Sequence, residues 1–365
     1  MKQMKTIFQL AENVSLESGG LRTVLVNLDN YINENKKHKS IVVTNKKEQG
    51  DSYFEFPSNK LQLWNYSESL KKHLSREISN SDILHLHGVF MHIQYLSSNL
   101  AQKNKHPYIV TPHGMLEPWL LKDKRLKKKI YFELILKKIL SKSNVLHAIT
   151  PLEKESLFQL TKHKNIVEIP NFIYHESIPK FKKYNPDNEE YLLFVGRIHP
   201  KKGLDILLES FSAMENKKLK LKIVGNNNDY SIKLKKKCVD LGIDKRVEFL
   251  GGVFSDEKYK LFSNSKAFIA PSYSEAIGMV NLEAAVCKTP VITTLQTGLN
   301  PDWSKNGGKL IQPNSIDLTK SLNEIASWSI EERNSRGEML CDYVVNNYSW
   351  EQKGHLWNDV YNSLY

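Results

Sequence analysis

The stretch Pro-Ser-Tyr-Ser-Glu-Ala-Ile-Gly-Met-Val-Asn-Leu-Glu-Ala-Ala-Val, residues 271–286, places two glutamates, Glu275 and Glu283, eight positions apart. Just before it, Phe268-Ile269-Ala270 reads as the end of a buried strand. Pro271 to Gly278 reads as a loop, and from Met279 the composition turns helical through Leu282, Ala284, Ala285 and Val286. A strand, a loop ending in glycine and a helix start leave the backbone N–H groups of Met279, Val280 and Asn281 free to face an anion such as a diphosphate. Glu275 would stand in the loop on one side of that anion and Glu283 on the helix on the other. A helix with an acidic first turn would account for the glutamates through the macrodipole alone. A molecule with hydroxyls at both ends and a diphosphate in the middle accounts for the whole arrangement, and a nucleotide sugar is such a molecule.

Outward from this stretch, short apolar runs alternate with longer amphipathic ones, the pattern of parallel sheets wrapped by helices. The first half suggests strands at Thr6–Leu10, Ser40–Thr44, Ile83–His87, Tyr108–Thr111 and Val145–Ile149, with a helix at Leu21–Asn33. A polar stretch after Ile169-Pro-Asn-Phe-Ile, holding Pro179 and Pro186, reads as a linker. A second series follows at Tyr191–Val195, Leu219–Val224, Val247–Leu250, Ala267–Ala270 and Val291–Thr293. At 365 residues the chain accommodates two domains of ordinary size. These are expected at 1–175 and 185–349.

Apolar content is 40%, and no run approaches the ~20 residues that span a bilayer. Residues 1–10 hold too short an apolar stretch for a signal peptide and read as a first strand. Cys238, Cys287 and Cys341 form no metal-ligand spacing and suit a reducing cytoplasm. The net charge of +12 is uneven: residues 1–180 hold 27 basic against 17 acidic side chains, the remainder 25 against 23. Within the first half, 119–142 alone carries nine basic and two acidic residues at helical apolar spacing. A basic amphipathic helix of this kind suits an anionic membrane surface as well as an ordinary solvated face. Without an interleaved aromatic platform it does not suggest nucleic acid.

The stretch 271–286 resembles the glutamate-x7-glutamate element of retaining glycosyltransferases of family 4, and the resemblance runs through nearly the whole chain. Val-Gly-Arg-Ile-His-Pro-Lys-Lys-Gly-Leu-Asp (195–205) is similar to the family's donor-diphosphate loop. Lys-Ile-Val-Gly (222–225), Val-Glu-Phe-Leu-Gly (247–251) and Pro-Val-Ile-Thr-Thr (290–294) match its later strand ends. Glu-Ser-Gly-Gly-Leu (17–21) and Thr-Pro-His-Gly-Met-Leu-Glu-Pro-Trp (111–119) are similar to its acceptor-side loops. The resemblance implies the GT-B architecture, an α/β fold of two Rossmann-like domains facing each other across a cleft, with the C-terminal helix, 350–365, returning to the first domain. It also implies a cytoplasmic enzyme, peripheral at the inner face of the membrane, extending a lipid-linked oligosaccharide of O-antigen or capsule type from a nucleotide-sugar donor.

No Asp-x-Asp occurs in the chain, so charge on the departing diphosphate is expected to be met by protein groups, with no metal and no cofactor. Arg197 can fork onto phosphate oxygens and Lys202 supplies a compact point charge. With Gly196, Gly278, Met279 and Val280 they form the expected donor cradle, and Glu283 accepts the ribose hydroxyls. The resemblance implies that Glu275 orients the transferred sugar and that His113 assists in the cleft. Pro112 and Gly114 force a turn that exposes His113. Of two nearby histidines, His87 at its strand end is a candidate cleft residue and His85 a core one. Gly19 and Gly20 fit either close backbone approach to a phosphate or acceptor, or a tight turn. The chain departs from the family pattern at Ala276-Ile277, at Asn226-Asn227 and at Lys288-Thr289. Two other readings are a sugar-nucleotide epimerase of the same fold and a catalytically silent sugar-nucleotide-binding partner subunit.

Overall fold

The computed structural model describes residues 4–58, 63–78, 82–116, 129–179, 181, 190–253 and 255–364. It divides into two compact units: residues 1–172 with 354–365, and residues 173–353. Each is a fully parallel sheet covered by helices.

The first unit contains β1 (Lys5–Asn13), β2 (His38–Lys46), β3 (Phe54–Glu55), β4 (Ile83–His87), β5 (Tyr108–Thr111), β6 (Val145–Ala148) and β7 (Ile166–Glu168). Their order in the sheet is β3-β2-β1-β4-β5-β6-β7. The second contains β8 (Tyr191–Val195), β9 (Lys220–Val224), β10 (Val247–Gly251), β11 (Ala267–Ala270), β12 (Val291–Thr294) and β13 (Lys309–Ile311), in the order β10-β9-β8-β11-β12-β13. In both sheets the order reverses beside the first strand, between β1 and β4 and between β8 and β11. Such a reversal opens a crevice at the carboxyl ends of the strands, where ligands of open parallel sheets sit.

Strands buried on both faces carry near-continuous apolar runs. Leu192, Leu193 and Phe194 of β8 and Phe268 and Ile269 of β11 are essentially inaccessible, as are Leu84 and Leu86 of β4 and Ile109 and Val110 of β5. Each such side chain contributes about 1.5–3 kcal/mol. Three strands were absent from the sequence reading, β3, β7 and β13. All three lie at a sheet edge and span only two or three residues.

The C-terminal segment expected as one helix over 350–365 is two. Trp350–Lys353 belongs to the second unit, where Trp350 stacks on Tyr174 with ring centroids 5.9 Å apart. After Gly354, the helix His355–Asn362 belongs to the first unit and buries Trp357, Val360 and Tyr361. Of the basic segment 119–142, residues 119–128 lie outside the described residues. Residues 129–141 are helical, with a π turn at Phe132–Leu136. Leu136, Ile139 and Leu140 face the core, whereas Ile130 and Leu134 are exposed. Among the described residues no helix is long and apolar enough to cross a membrane.

Candidate active site

In the second unit, the turn after β8 and the loop after β11 come from the two neighbouring strands at the sheet's reversal. Close backbone packing joins them. Gly203 has φ +69°, and a Cβ there would lie 2.0 Å from the Pro271 carbonyl oxygen. Tyr273 N–H donates to the Lys201 carbonyl at 2.8 Å, and the Tyr273 hydroxyl to Asp205 at 2.9 Å. Gly225, at the end of β9, is packed as tightly, since a Cβ would lie 2.2 Å from the Gly196 carbonyl. The close approach requires glycine at 225, ahead of Asn226 and Asn227.

The two loops bring Lys202 and Glu275 into a hydrogen-bonded ion pair that is largely shielded from water. Arg197 is exposed and forms no ion pair among the described residues. His199, beside it, accepts from the Lys201 N–H at 3.1 Å. Burial first, and then the charges of Arg197, Lys201 and Lys202, hold the His199 imidazole below its usual pKa, so at neutral pH it adds no charge to this cationic turn.

The loop after β11 enters its helix through two left-handed residues, Ile277 at φ +64° and Gly278 at φ +71°. A β-branched side chain is a genuine outlier there. Ile277 is held by its N–H bond to the Thr297 carbonyl, by the Asn281 side-chain amide donating to the Ile277 carbonyl, and by full burial. One expectation is corrected. The Asn281 N–H is not free, because it donates to the Gly278 carbonyl at 2.9 Å and tightens the first turn. The N–H groups of Met279 and Val280, at the start of the helix Met279–Val286, have no acceptor among the described residues. Glu283 projects from this helix and pairs with Lys258 at 3.0 Å. Lys258 lies on the helix Ser255–Asn264 and was missed in the sequence reading. Both glutamates of the opening stretch therefore carry a lysine partner.

His113, Gly19 and Gly20 belong to the first unit. Gly19, after β1, has φ +60°, and a Cβ at either Gly19 or Gly20 would meet nothing within 4 Å. His113 follows β5 at φ +55°. Glu153, also missed, holds the His113–Gly114 turn, accepting from the Gly114 N–H at 2.7 Å and the Ile149 N–H at 2.8 Å. The His113 ring bonds His87 at 2.9 Å, so His87 stands behind His113. His85 is fully buried, between Tyr361 and Thr111. Burial depresses the pKa of all three rings well below the usual range, so they are neutral at neutral pH.

The model of Glycosyltransferase Family 4 matches residues 18–177 and that of Glycosyl transferases group 1 residues 176–339. An uncharacterized glycosyltransferase of Methanocaldococcus jannaschii is 27% identical over 334 residues, which is 90% of this chain and 86% of that protein. An uncharacterized protein in the cps region of Klebsiella pneumoniae is 24% identical, over 77% of this chain and 79% of the other. Among solved structures, sucrose-phosphate synthase from Thermosynechococcus elongatus aligns with a TM-score of 0.82 at 17% identity, covering 98% and 100% of the two chains. Anabaena HepE in complex with UDP and glucose aligns at 0.79 and 15%, covering 99% and 100%. The protein belongs to the glycosyltransferases of GT-B fold, with a family 4 first half and a group 1 second half.

Proposed function

We propose that this glycosyltransferase is retaining and metal-independent, and that it moves a hexose from a nucleoside-diphosphate sugar to a lipid-linked oligosaccharide in surface-polysaccharide synthesis. The observation that carries the reading is the pairing of Lys202 with Glu275 where β8 and β11 meet, in the loop that leads into the Met279 and Val280 N–H groups. Breaking a sugar–phosphate bond puts negative charge on the departing diphosphate. In this reading Lys202 exchanges Glu275 for the phosphate oxygens, while Arg197 and the Met279 and Val280 N–H groups complete the cradle, with Gly196 and Gly278 leaving the backbone room for it. Glu283 then accepts from the ribose hydroxyls, with Lys258 holding its carboxylate in place. Glu275, released toward the sugar, stabilises its oxocarbenium-like transition state, and in the first unit His113 meets a substrate hydroxyl. HepE, which binds UDP and glucose, supports the donor class, and the cps-region relative supports the product class.

Incubating the protein with UDP-, GDP- and ADP-sugars, with and without a lipid-linked oligosaccharide, tests this reading. Transfer requires acceptor and should continue in excess EDTA, with the donor's anomeric configuration kept in the product. An altered sugar without acceptor would identify an epimerase, and no conversion of any donor would identify a binding subunit. A magnesium-reversible loss of transfer in EDTA would contradict the roles of Arg197 and Lys202.

The exposed Ile130 and Leu134, flanked by exposed Lys129, Lys137 and Lys138, are in this reading the described part of a surface that docks on anionic lipid at the cytoplasmic face. Binding to phosphatidylglycerol vesicles should weaken with salt, because the attraction is screened within ~8 Å at physiological ionic strength. At about 1 kcal/mol per basic residue, replacing the three lysines with glutamate should abolish detectable binding and leave nucleotide affinity unchanged. Vesicle binding that survives the triple replacement would assign this helix to packing alone.

A further inference from the structure

Behind His113 runs a line of buried polar groups whose hydrogen-bond directions can be assigned from one end. It begins at the Ile169 carbonyl, which can only accept, and to which His147 Nε2 donates at 2.8 Å. Burial pushes the His147 pKa down to about 4, so the ring carries one proton and its Nδ1 is a bare acceptor. Thr111 Oγ1, 2.9 Å from that Nδ1, therefore donates to it. Having spent its proton, the Thr111 hydroxyl accepts from His85 Nε2 at 2.7 Å. His85 Nδ1 is then an acceptor, and the Tyr361 hydroxyl 3.0 Å away donates to it. The Tyr361 oxygen accepts from Gln9 Nε2 at 3.4 Å. That orients the Gln9 amide, so its Oε1 faces His87 Nε2, which donates at 2.7 Å. His87 Nδ1 is left bare, and His113 Nε2, 2.9 Å away, supplies the proton. Gln9, His85, His87, Thr111, His147 and Tyr361 are each at most 3% exposed, so water does not compete for these links. Trp357 walls the line, its ring 4.6 Å from that of His147 and 5.1 Å from that of His85. No other assignment places one proton in every link of the line while each ring stays neutral.

We propose that Gln9 and Tyr361 are positioning residues that lock His113 in its Nε2–H tautomer, so that Nδ1 is presented as a hydrogen-bond acceptor for a substrate hydroxyl. This rests on the reading of His113 as a substrate-facing residue. It also gives the C-terminal segment 354–365 a part in the site, since Tyr361 sits three links behind His113. Burial at the far end of the line holds the near end in one state. Without it both neutral tautomers are open to His113, and part of the population would present a donor where an acceptor is needed. Among the described residues, His113 Nδ1 has no hydrogen bond, and the residue is half-buried rather than enclosed.

The test is 15N NMR of the histidine-labelled full-length chain at neutral pH, which distinguishes protonated from bare ring nitrogens, with signals assigned by single histidine replacements. The wild-type protein should show His113 Nδ1 bare and Nε2 protonated. Tyr361→Phe removes one hydroxyl from a site it otherwise fills, and frees the Gln9 amide to flip. Gln9→Met removes the acceptor of His87 altogether. In each folded variant the His113 signals should move to the average of two tautomers, although neither replacement touches His113. With a competent donor and acceptor, kcat/KM should fall in proportion to the share of His113 still presenting an acceptor, about twofold at equal populations. A protonated Nδ1 in the wild type, or His113 signals unmoved in both variants, would overturn the lock. Averaged tautomers with unaltered kcat/KM would overturn the hydroxyl contact. The ring-nitrogen signals need no turnover, so a wild-type protein that transferred no sugar would count against the proposed function and not against the lock.

Discussion

Replacing Lys202 with alanine should lower kcat by about 10²–10³-fold, the cost of losing one preorganised group from developing negative charge. The side chain is paired with Glu275, so its ammonium is already positioned when a diphosphate arrives. Little reorganisation is then needed as charge builds on the leaving group. The fold should survive, because the turn 200–203 is held by backbone contacts that the lysine side chain does not make. These are the Gly203 N–H to the Pro200 carbonyl at 3.1 Å and the Tyr273 N–H to the Lys201 carbonyl at 2.8 Å. Initial-rate kinetics with Lys201→Ala as companion would isolate the effect, since the neighbouring lysine should matter only a few-fold. Turnover near normal in a folded Lys202→Ala protein would remove the leaving-group role.

The second large effect is structural. Gly203→Ala places a Cβ 2.0 Å from the Pro271 carbonyl oxygen, a backbone atom that cannot rotate away, at φ +69°. Gly242 has nearly the same dihedral, φ +66°, with nothing within 4 Å of its Cβ position. Gly242→Ala should therefore cost only the left-handed penalty, about 1–2 kcal/mol. Gly203→Ala carries that penalty and must also force the β8 and β11 loops apart, for a total of about 3–5 kcal/mol. Chemical denaturation of the two variants side by side reads the difference directly. The Gly203 variant should also lose nucleotide binding, since the same displacement separates Lys202 from Glu275. Equal losses of stability would mean that the close approach of the two loops is not a constraint.

The central strands were legible because burial on both faces demands long apolar runs such as Tyr191–Val195 and Ile83–His87, whose bounds match those read from sequence. The edge strands β3, β7 and β13 were not legible. A two- or three-residue strand paired on one side needs no apolar run, so nothing in Phe54–Glu55 separates it from a loop. The charged candidates were picked out through spacing along one stretch of chain, as with Arg197 and Lys202 or Glu275 and Glu283, and of these the structure pairs Lys202 with Glu275. Their partners were not, because Lys258 reaches Glu283 from a different helix and Glu153 reaches Gly114 across 39 positions. Pairings of that kind depend on strand order, which periodicity does not encode. Ile277 is the instructive intermediate case. Its departure from the family's loop was visible, but its left-handed backbone, kept under a β-branched side chain, emerges only from the burial and hydrogen bonds around it.

The most direct test of the account is calorimetric titration of UDP, GDP and ADP into the protein in the presence of EDTA, repeated on Lys202→Ala and Glu283→Ala. One of the three nucleotides should bind the wild-type protein without metal. Both replacements should weaken that binding, by about tenfold or more for a lost charge-assisted hydrogen bond. Glu283→Ala should leave the weaker affinity for inorganic pyrophosphate unchanged, because its partner is the ribose. Binding that requires magnesium, or that neither replacement alters, would contradict the assignment of the β8 and β11 loops as the donor site.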